Sequence, residues 1–372
     1  MIDGFGVHFS QASHSRVRHR IVQREAALSP FASKSAAATR DREEEPSSVR
    51  AAFQRDRDRI VHSNCFRRLK HKSQVLVNPQ GDHYTTRMTH VLQVSQVGRT
   101  IARALNLNED LVEAAALAHD VGHTPFGHIG EHVLNERLPD GFTHAAQGVR
   151  TLTILEKHGD GLNLTHDVIE AVKRHSKPEG KFITSEAVAG MSLEAQIVRI
   201  SDAIAYLAHD LADAERDGIL ETADVPIEVR EALGDAHSTR LNAMVVDVID
   251  ASWDCTGESG NLNSKPWIRM SDTMRDVTTQ LRNFMFERVY HPTSQSPEGL
   301  RAHDAVHLMH DHYSNHLDEV PEWMRVISIE PEYAAADFVS GMTDSFAVIA
   351  LERISPGSSQ GLYQGRVYVP HT

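Results

Sequence analysis

Leu117 to His132 reads LAHDVGHTPFGHIGEH, four histidines, an aspartate and a glutamate in a stretch broken by three glycines and a proline. Imidazole nitrogens and carboxylate oxygens at this density leave three readings. They hold a divalent cation, they move protons, or they are an accident of composition. His119 and Asp120 are adjacent at the end of an apolar helical run, just before Gly122. Helix neighbours point about 100° apart, so both reach one ion only near a helix end or with help from other elements. His119 and His123 have the i,i+4 spacing of a zinc helix, but Gly122 and Pro125 disrupt the geometry it needs. His128 and Glu131 follow Gly127 at i,i+3 and share a helix face, where the plain alternative is surface decoration.

A metal at His119 and Asp120 needs more nitrogen or oxygen ligands, and two distant helices offer them. His90 lies in RMTHVLQVSQVGR on the polar edge of an apolar face. Asp202 lies in EAQIVRISDAIAYLAHDLAD behind Ile197, Val198 and Ile200, where a carboxylate requires a partner. His90, His119, Asp120 and Asp202 together make a His₂Asp₂ set suited to an open Mn²⁺, Mg²⁺, Fe²⁺, Ni²⁺ or Zn²⁺ site. Asp202, Tyr206 and Asp210 recur every fourth residue, one stripe about 12 Å long.

The elements that must carry these residues read as helices. Met88, Val91, Leu92, Val94, Val97, Ile101, Ala104 and Leu105 keep a three-and-four spacing. NEDLVEAAALAHD follows with Asn108 as N-cap, and further helices are expected over 127–137, 145–158, 165–175, 191–215, 226–234, 238–252, 267–290, 299–317 and 331–349. Strand-like alternation is confined to 73–79 and 365–370. The expected class is all-α, in three parts: a polar, mobile arm over 1–48, a catalytic core over 49–253, and a C-terminal helical extension over 254–372 entered through DCTGESGNLNSKP.

Composition narrows the partners. The chain has 372 residues, 40% hydrophobic and 24% charged, which suits a folded soluble protein. No apolar run is long enough for a membrane span, and the N-terminus lacks the apolar core of a secretory signal. Two cysteines, Cys65 and Cys255, suit a reducing cytoplasm. A net charge of −13 opposes general nucleic-acid coating but not an anionic small substrate. Arg55 to Lys72 carries seven Lys or Arg against two Asp, either a solvated face or a phosphate-attracting wall.

The order His90, His119-Asp120, Asp202 resembles the HD superfamily of metal-dependent phosphohydrolases. RDRIVHSNCFRRLKHKSQV, the block from GDHYTTRMTHVLQV through AAALAHDVGHTPFGHIGE, EAQIVRISDAIAYLAHD and FVSGMTDSFA look like the deoxyguanosinetriphosphate triphosphohydrolase-like proteins. The resemblance covers about residues 53 to 350. It implies an α-helical HD fold, and cleavage of a dNTP substrate to deoxynucleoside and inorganic triphosphate. A homo-oligomer, often a hexamer, and sometimes a regulatory nucleotide are implied as well. Under it, His128 and Glu131 resemble the catalytic pair, with Glu131 orienting His128 for proton transfer. His123 and His144 match histidines near the phosphates, and Arg68 and Arg87 resemble phosphate or metal-shell arginines. Gln74 resembles the position that meets sugar or base. Tyr206 then stacks on the deoxyribose and excludes a 2′-hydroxyl, while Asp210 accepts the 3′-hydroxyl.

Two positions depart from the family's pattern: Thr85 stands where arginine is common, and Ala145 where Asn or Glu is frequent. They bear on substrate preference and rate. A second cluster, HDAVHLMHDHYSNH from His303 to His316, places His303, His307 and His310 on one helical face, and reads as a wet surface. Two other readings remain: a different HD phosphohydrolase such as a nucleotidase or cyclic-dinucleotide phosphodiesterase, and a non-catalytic protein whose assembly is governed by nucleotide or single-stranded nucleic acid.

Overall fold

The computed structural model describes residues 11–75, 85–176, 184–258, 260, 265–328 and 330–362. Within them the fold is helical, as expected, and an isolated antiparallel bridge, Ser73 to Thr86, is the only β feature. Residues 76–79 of the first strand candidate and the whole of 365–370 lie outside the described residues. No described helix is long and apolar enough to cross a membrane.

Three helices form the centre. Arg87–Ala104 starts at Thr86, whose hydroxyl accepts from the Thr89 amide, and turns Val91, Val94, Val97 and Ile101 fully inward. Glu109–Ala118 starts at Asn108, whose side chain accepts from the Leu111 amide, with Glu109 and Asp110 at the positive end of its dipole. Leu193–Arg216 starts at Ser192, whose hydroxyl accepts from the Ala195 amide at 3.1 Å. These helices share one apolar core, and each fully buried Leu, Ile or Val in it contributes roughly 1.5–3 kcal/mol. His90, His119 and Asp202 project from the three helices toward one another, so the core that holds the fold also sets the site.

That core draws on both sides of the 254–266 loop: Val245 and Val248 before it, Cys255 at its start, and Ile268, Leu281 and Met285 after it. A second core joins the His128–Arg137 helix to the C-terminal helices Pro297–Asn315, Pro331–Ser340 and Asp344–Ile354 through Val133, Leu134, Val306, Met309, Val339 and Leu351. The extension is therefore packed onto the very helix that carries His128 and Glu131. Helix expected over 331–349 is interrupted at Gly341, and Thr343 caps a new helix by accepting from the Phe346 amide.

Residues 27–44, expected within a mobile arm, are tied to the core. Ser29 donates to the Cys255 carbonyl at 2.7 Å, and the Ser33 amide and hydroxyl both donate to Glu194 at 3.0 Å. Arg40 pairs with fully buried Asp56 at 2.5 Å and donates to the Asn163 carbonyl at 2.6 Å. The segment reads as disordered in composition because its polar groups serve buried partners that are remote in sequence.

Candidate metal centre

His119 sits where the Glu109–Ala118 helix ends, and its Nδ1 lies 2.7 Å from the Ala116 carbonyl. A carbonyl only accepts, so Nδ1 carries the hydrogen and Nε2 presents a lone pair. That Nε2 is buried without a hydrogen-bond partner, 3.4 Å from Asp120 Oδ1 and 3.7 Å from Asp202 Oδ1. His90 Nε2 lies 3.2 Å from the same Asp202 oxygen. Ligand atoms of His90, His119 and Asp120 fall within 4.8 Å of one another, so the structure brings together all four expected ligands. An orphaned buried nitrogen costs about 1–3 kcal/mol, and a divalent cation among two nitrogens and two carboxylates is the partner this set fits.

Charge around the centre is organised by burial and neighbours. Burial opposes ionisation of Asp120, but His119, His123 and Arg87 outweigh it and hold its pKa well below the ordinary value. The Arg87 guanidinium reaches Asp120 Oδ2 at 2.7 Å, which fixes Oδ1 toward His119 and His123. Burial lowers the pKa of His119 despite Asp120 and Asp202, whereas for His90 the same carboxylates overcome burial and raise it.

Beside this centre stands a wall of imidazoles organised by Glu131. Its Oε2 lies 2.8 Å from His128 Nδ1, and its Oε1 lies 2.7 Å from both His144 Nδ1 and the His144 amide. His175 closes the wall, with Nδ1 2.6 Å from the Val172 carbonyl and Nε2 3.0 Å from His144 Nε2. The carbonyl forces the hydrogen onto His175 Nδ1, so His144 Nε2 must donate to His175 Nε2. His144 Nδ1 donates to the carboxylate too, and His144 is an imidazolium. Burial works against that charge, but Glu131 outweighs it and the His144 pKa rises; burial, with His119 and His144 nearby, pushes His175 down to about 3. Burial opposes the Glu131 charge as well, yet its two histidines hold it well below the carboxylate range. His123 stacks on His144, centroids 3.9 Å apart, and places Nε2 3.3 Å from Asp120 Oδ1, so it links wall and centre. Among the described residues two further groupings could hold an ion, Asp120 with His144 and His175, and His123 with His128, Glu131 and His144. His144, common to both, is already satisfied within the wall, as is Glu131 in the second, which favours the His119 centre.

His128 follows an unusual turn. Phe126 and Gly127 have φ of +60° and +61°; for Phe126 this costs roughly 1–2 kcal/mol and needs outside support. At Gly127 the positive φ favours glycine, and a Cβ there would press on Arg87 Nη2 at 2.9 Å and the Gln74 carbonyl at 3.1 Å. The turn leaves His128 72% exposed on its side chain, open to a ligand.

On the Leu193–Arg216 stripe, Asp210 is buried and accepts from the Tyr290 hydroxyl at 2.9 Å, and Tyr206 meets the Tyr290 ring edge-on at 6.5 Å. Burial pushes Asp210 up to about 7. Gln74 lies at the turn, its backbone carbonyl accepting from Arg87 Nη2 at 3.4 Å and its Oε1 buried without a partner. Arg68 is not brought to the wall; it leans to Glu156 at 3.9 Å and is 38% exposed. Much of the basic stretch is likewise spent: Arg55 and Arg59 pair with Glu44, and Arg57 with Asp58 and Glu113. Thr85 donates its amide to Asp213 at 3.1 Å, and Ala145 is buried. Among the described residues, His303, His307 and His310 join no metal-compatible group; His307 pairs with Asp311 and His310 with the Glu332 carbonyl.

The sequence reading missed His175 and Tyr290. His175 had a signal: it continues the buried stripe Val168, Ala171, Val172 of its helix. Tyr290 had none, since its place follows from a π-turn over Phe286–Tyr290 that swings it onto Asp210.

Comparison with known proteins gives the family of the chain. A model of the HD domain matches residues 87–207, and one of a phosphohydrolase-associated domain matches 268–353. A deoxyguanosinetriphosphate triphosphohydrolase-like protein of Desulfatibacillum aliphaticivorans is 44% identical, covering 91% of this chain and 97% of that protein. Its namesake in Caldanaerobacter subterraneus subsp. tengcongensis is 45% identical, covering 90% and 95%. A solved structure, a hypothetical protein from Aquifex aeolicus, superposes with a TM-score of 0.42 at 19% identity over 81% of this chain and 71% of that one. With two HD-type helices carrying His119-Asp120 and Asp202 to one point, and relatives matched nearly end to end, the chain belongs to the deoxyguanosinetriphosphate triphosphohydrolase-like proteins of the HD phosphohydrolases.

Proposed function

We propose that this chain hydrolyses a deoxynucleoside triphosphate, dGTP or several dNTPs, to the deoxynucleoside and inorganic triphosphate. Carrying the reading is the shared edge of the two assemblies: His123 touches the metal centre through Asp120 and meets the His128 ring at 4.9 Å. A cation centre and a proton donor so placed suit a phosphorus atom bonded to a leaving oxygen. His90, His119, Asp120 and Asp202 would hold the divalent ion, which supplies positive charge to polarise the phosphoryl group and a nearby water. Water forms a new bond to the α-phosphorus and releases a proton to solvent, the bond to the 5′-oxygen breaks, and His128, held by Glu131, delivers the proton that oxygen needs. Arg87, cationic His144 and His123 lie where a triphosphate needs neutralising or hydrogen-bonding groups. Gln74 Oε1 offers a free buried acceptor to sugar or base. Arg68 serves the reaction only if it swings from Glu156 toward the phosphates.

The test is product analysis. Incubation with dGTP and each divalent metal should release deoxyguanosine and tripolyphosphate in equal amounts by chromatography. dGDP or dGMP would place the chain with another HD phosphohydrolase chemistry, and binding without turnover under every metal would make it a nucleotide-regulated binding protein. We extend the proposal to a homo-oligomer, the state the resemblance implies, and to the cytoplasm, where two free buried cysteines persist.

Sugar selection has its own test. Tyr206 and Tyr290 flank Asp210, so a ring packed on the 2′ carbon leaves no space for a ribose hydroxyl. Tyr206→Ala should reduce the kcat/KM preference for dGTP over GTP by about tenfold or more, roughly 1.4 kcal/mol of discrimination. An unchanged ratio removes Tyr206 from sugar recognition.

A further inference from the structure

The stretch FVSGMTDSFA lies far along the chain from every residue assigned a chemical task, yet one of its side chains is buried against the site. Asp344, the first residue of the Asp344–Ile354 helix, is 1% exposed. Its Oδ1 accepts from the Phe126 amide at 3.0 Å. Its Oδ2 accepts from the Ser73 amide at 2.8 Å and the Ser73 hydroxyl at 2.6 Å. A single carboxylate thereby holds the left-handed turn before His128 and the segment that carries Gln74.

A second tie runs in parallel. Lys72 is buried and donates to the Ser340 carbonyl at 2.8 Å and to the His123 carbonyl. Lys72 and Ser73 therefore connect the loop His123–Gly127 to the ends of two C-terminal helices. Thr124 closes the turn internally by donating to the Gly127 carbonyl at 2.7 Å. Nothing in that internal bond compensates the strain at Phe126, whose amide is held from outside by Asp344.

We propose that Asp344 is a positioning residue: through the Phe126 amide it fixes the turn that aims His128 and Glu131 at the metal centre, so the C-terminal helices set the proton donor's geometry. This rests on the reading of His128 as the donor. Asp344 touches no reacting atom and acts through the turn.

Asp344→Asn keeps the shape but leaves one acceptor oxygen for two backbone amides, so an NH₂ group must face either the Phe126 or the Ser73 N–H and the two-sided clamp on the turn is broken. Misplacement of a donor by an ångström or so lowers kcat by about 10- to 100-fold with KM within about twofold. In a His128→Ala background the same change should add less than about twofold, because the group it positions is gone. By hydrogen exchange, the 123–128 amides should exchange about tenfold faster than wild type, with the Leu193–Arg216 helix unchanged. Ser73→Ala, a milder loosening of the same carboxylate, should show the pattern at about threefold, and serves if Asp344→Asn does not fold. Equal losses in both backgrounds overturn the proposal, as does wild-type exchange at 123–128. Should wild type hydrolyse no dNTP, the activity reading falls, and the exchange measurement alone then decides whether the clamp exists.

Discussion

Replacing Asp202 with alanine is expected to remove the divalent ion and the turnover together, with kcat/KM falling about 10³-fold or more if the ion supplies several kcal/mol of transition-state stabilisation. Asp202 is the candidate ligand contributed by the third helix, and its Oδ1 is shared between His90 at 3.2 Å and His119 at 3.7 Å. Without it, two imidazoles and Asp120 remain, and Asp120 is already engaged by Arg87 and His123. His119→Ala should do the same from the opposite side, since it deletes the unpartnered Nε2. Neither change empties the apolar core, so melting of the ion-free protein should move little. Ion loading also carries a pH signature. The His90 pKa is raised above 6.5 in the ion-free protein, so below that raised value the ion must displace a proton from His90. Affinity should strengthen as pH climbs from 6.5, and the stability His90 gains from its carboxylates is present below 6.5 and lost as pH passes its folded pKa. Elemental analysis finding wild-type ion content in Asp202→Ala, or full turnover of chelated wild type, would refute the centre.

The convergence of the four candidate ligands was legible because helical period and burial can be read from sequence, and a polar residue inside an apolar run stands out. Asp202 among Ile197, Val198 and Ile200 is the clearest instance. His175 obeyed the same rule but sat at a helix end within RHSKP, where polarity looks ordinary. Tyr290 and Asp344 could not be read that way. Their roles depend on which backbone or side chain lies opposite, at separations of 80 and 218 residues. Charge counting failed for a related reason. The basic stretch looked free in one dimension, whereas Glu44 and Glu113 reach it from other segments. Composition misread residues 27–44 similarly, because Ser33 and Arg40 serve Glu194 and Asp56. Patterns local to one element survive the step to three dimensions; partnerships between elements do not show until the chain is folded.

His128→Ala is expected to keep its ion and lose turnover, by about 10²- to 10⁴-fold in kcat. Retention of the ion follows from placement: His128 is largely exposed and lies outside the His90, His119, Asp120 group. Stability should change by no more than about 0.5 kcal/mol, as for most surface substitutions. The loss arises because the 5′-oxygen leaves as a poor alkoxide unless a proton arrives with it, and His128 Nδ1 is anchored on Glu131 at 2.8 Å with Nε2 left to face the ligand. Glu131 remains ionised across the working range, since its two histidines hold its pKa far below the ordinary carboxylate value. It therefore orients His128 without itself consuming the proton. Leaving-group chemistry separates this role from a binding role. On a p-nitrophenyl phosphodiester of a deoxynucleoside, the departing phenolate needs no proton, so His128→Ala should approach the wild-type rate. A loss of the same size on both substrates would make His128 a phosphate-binding residue, and wild-type kcat on dGTP would take it out of the reaction altogether.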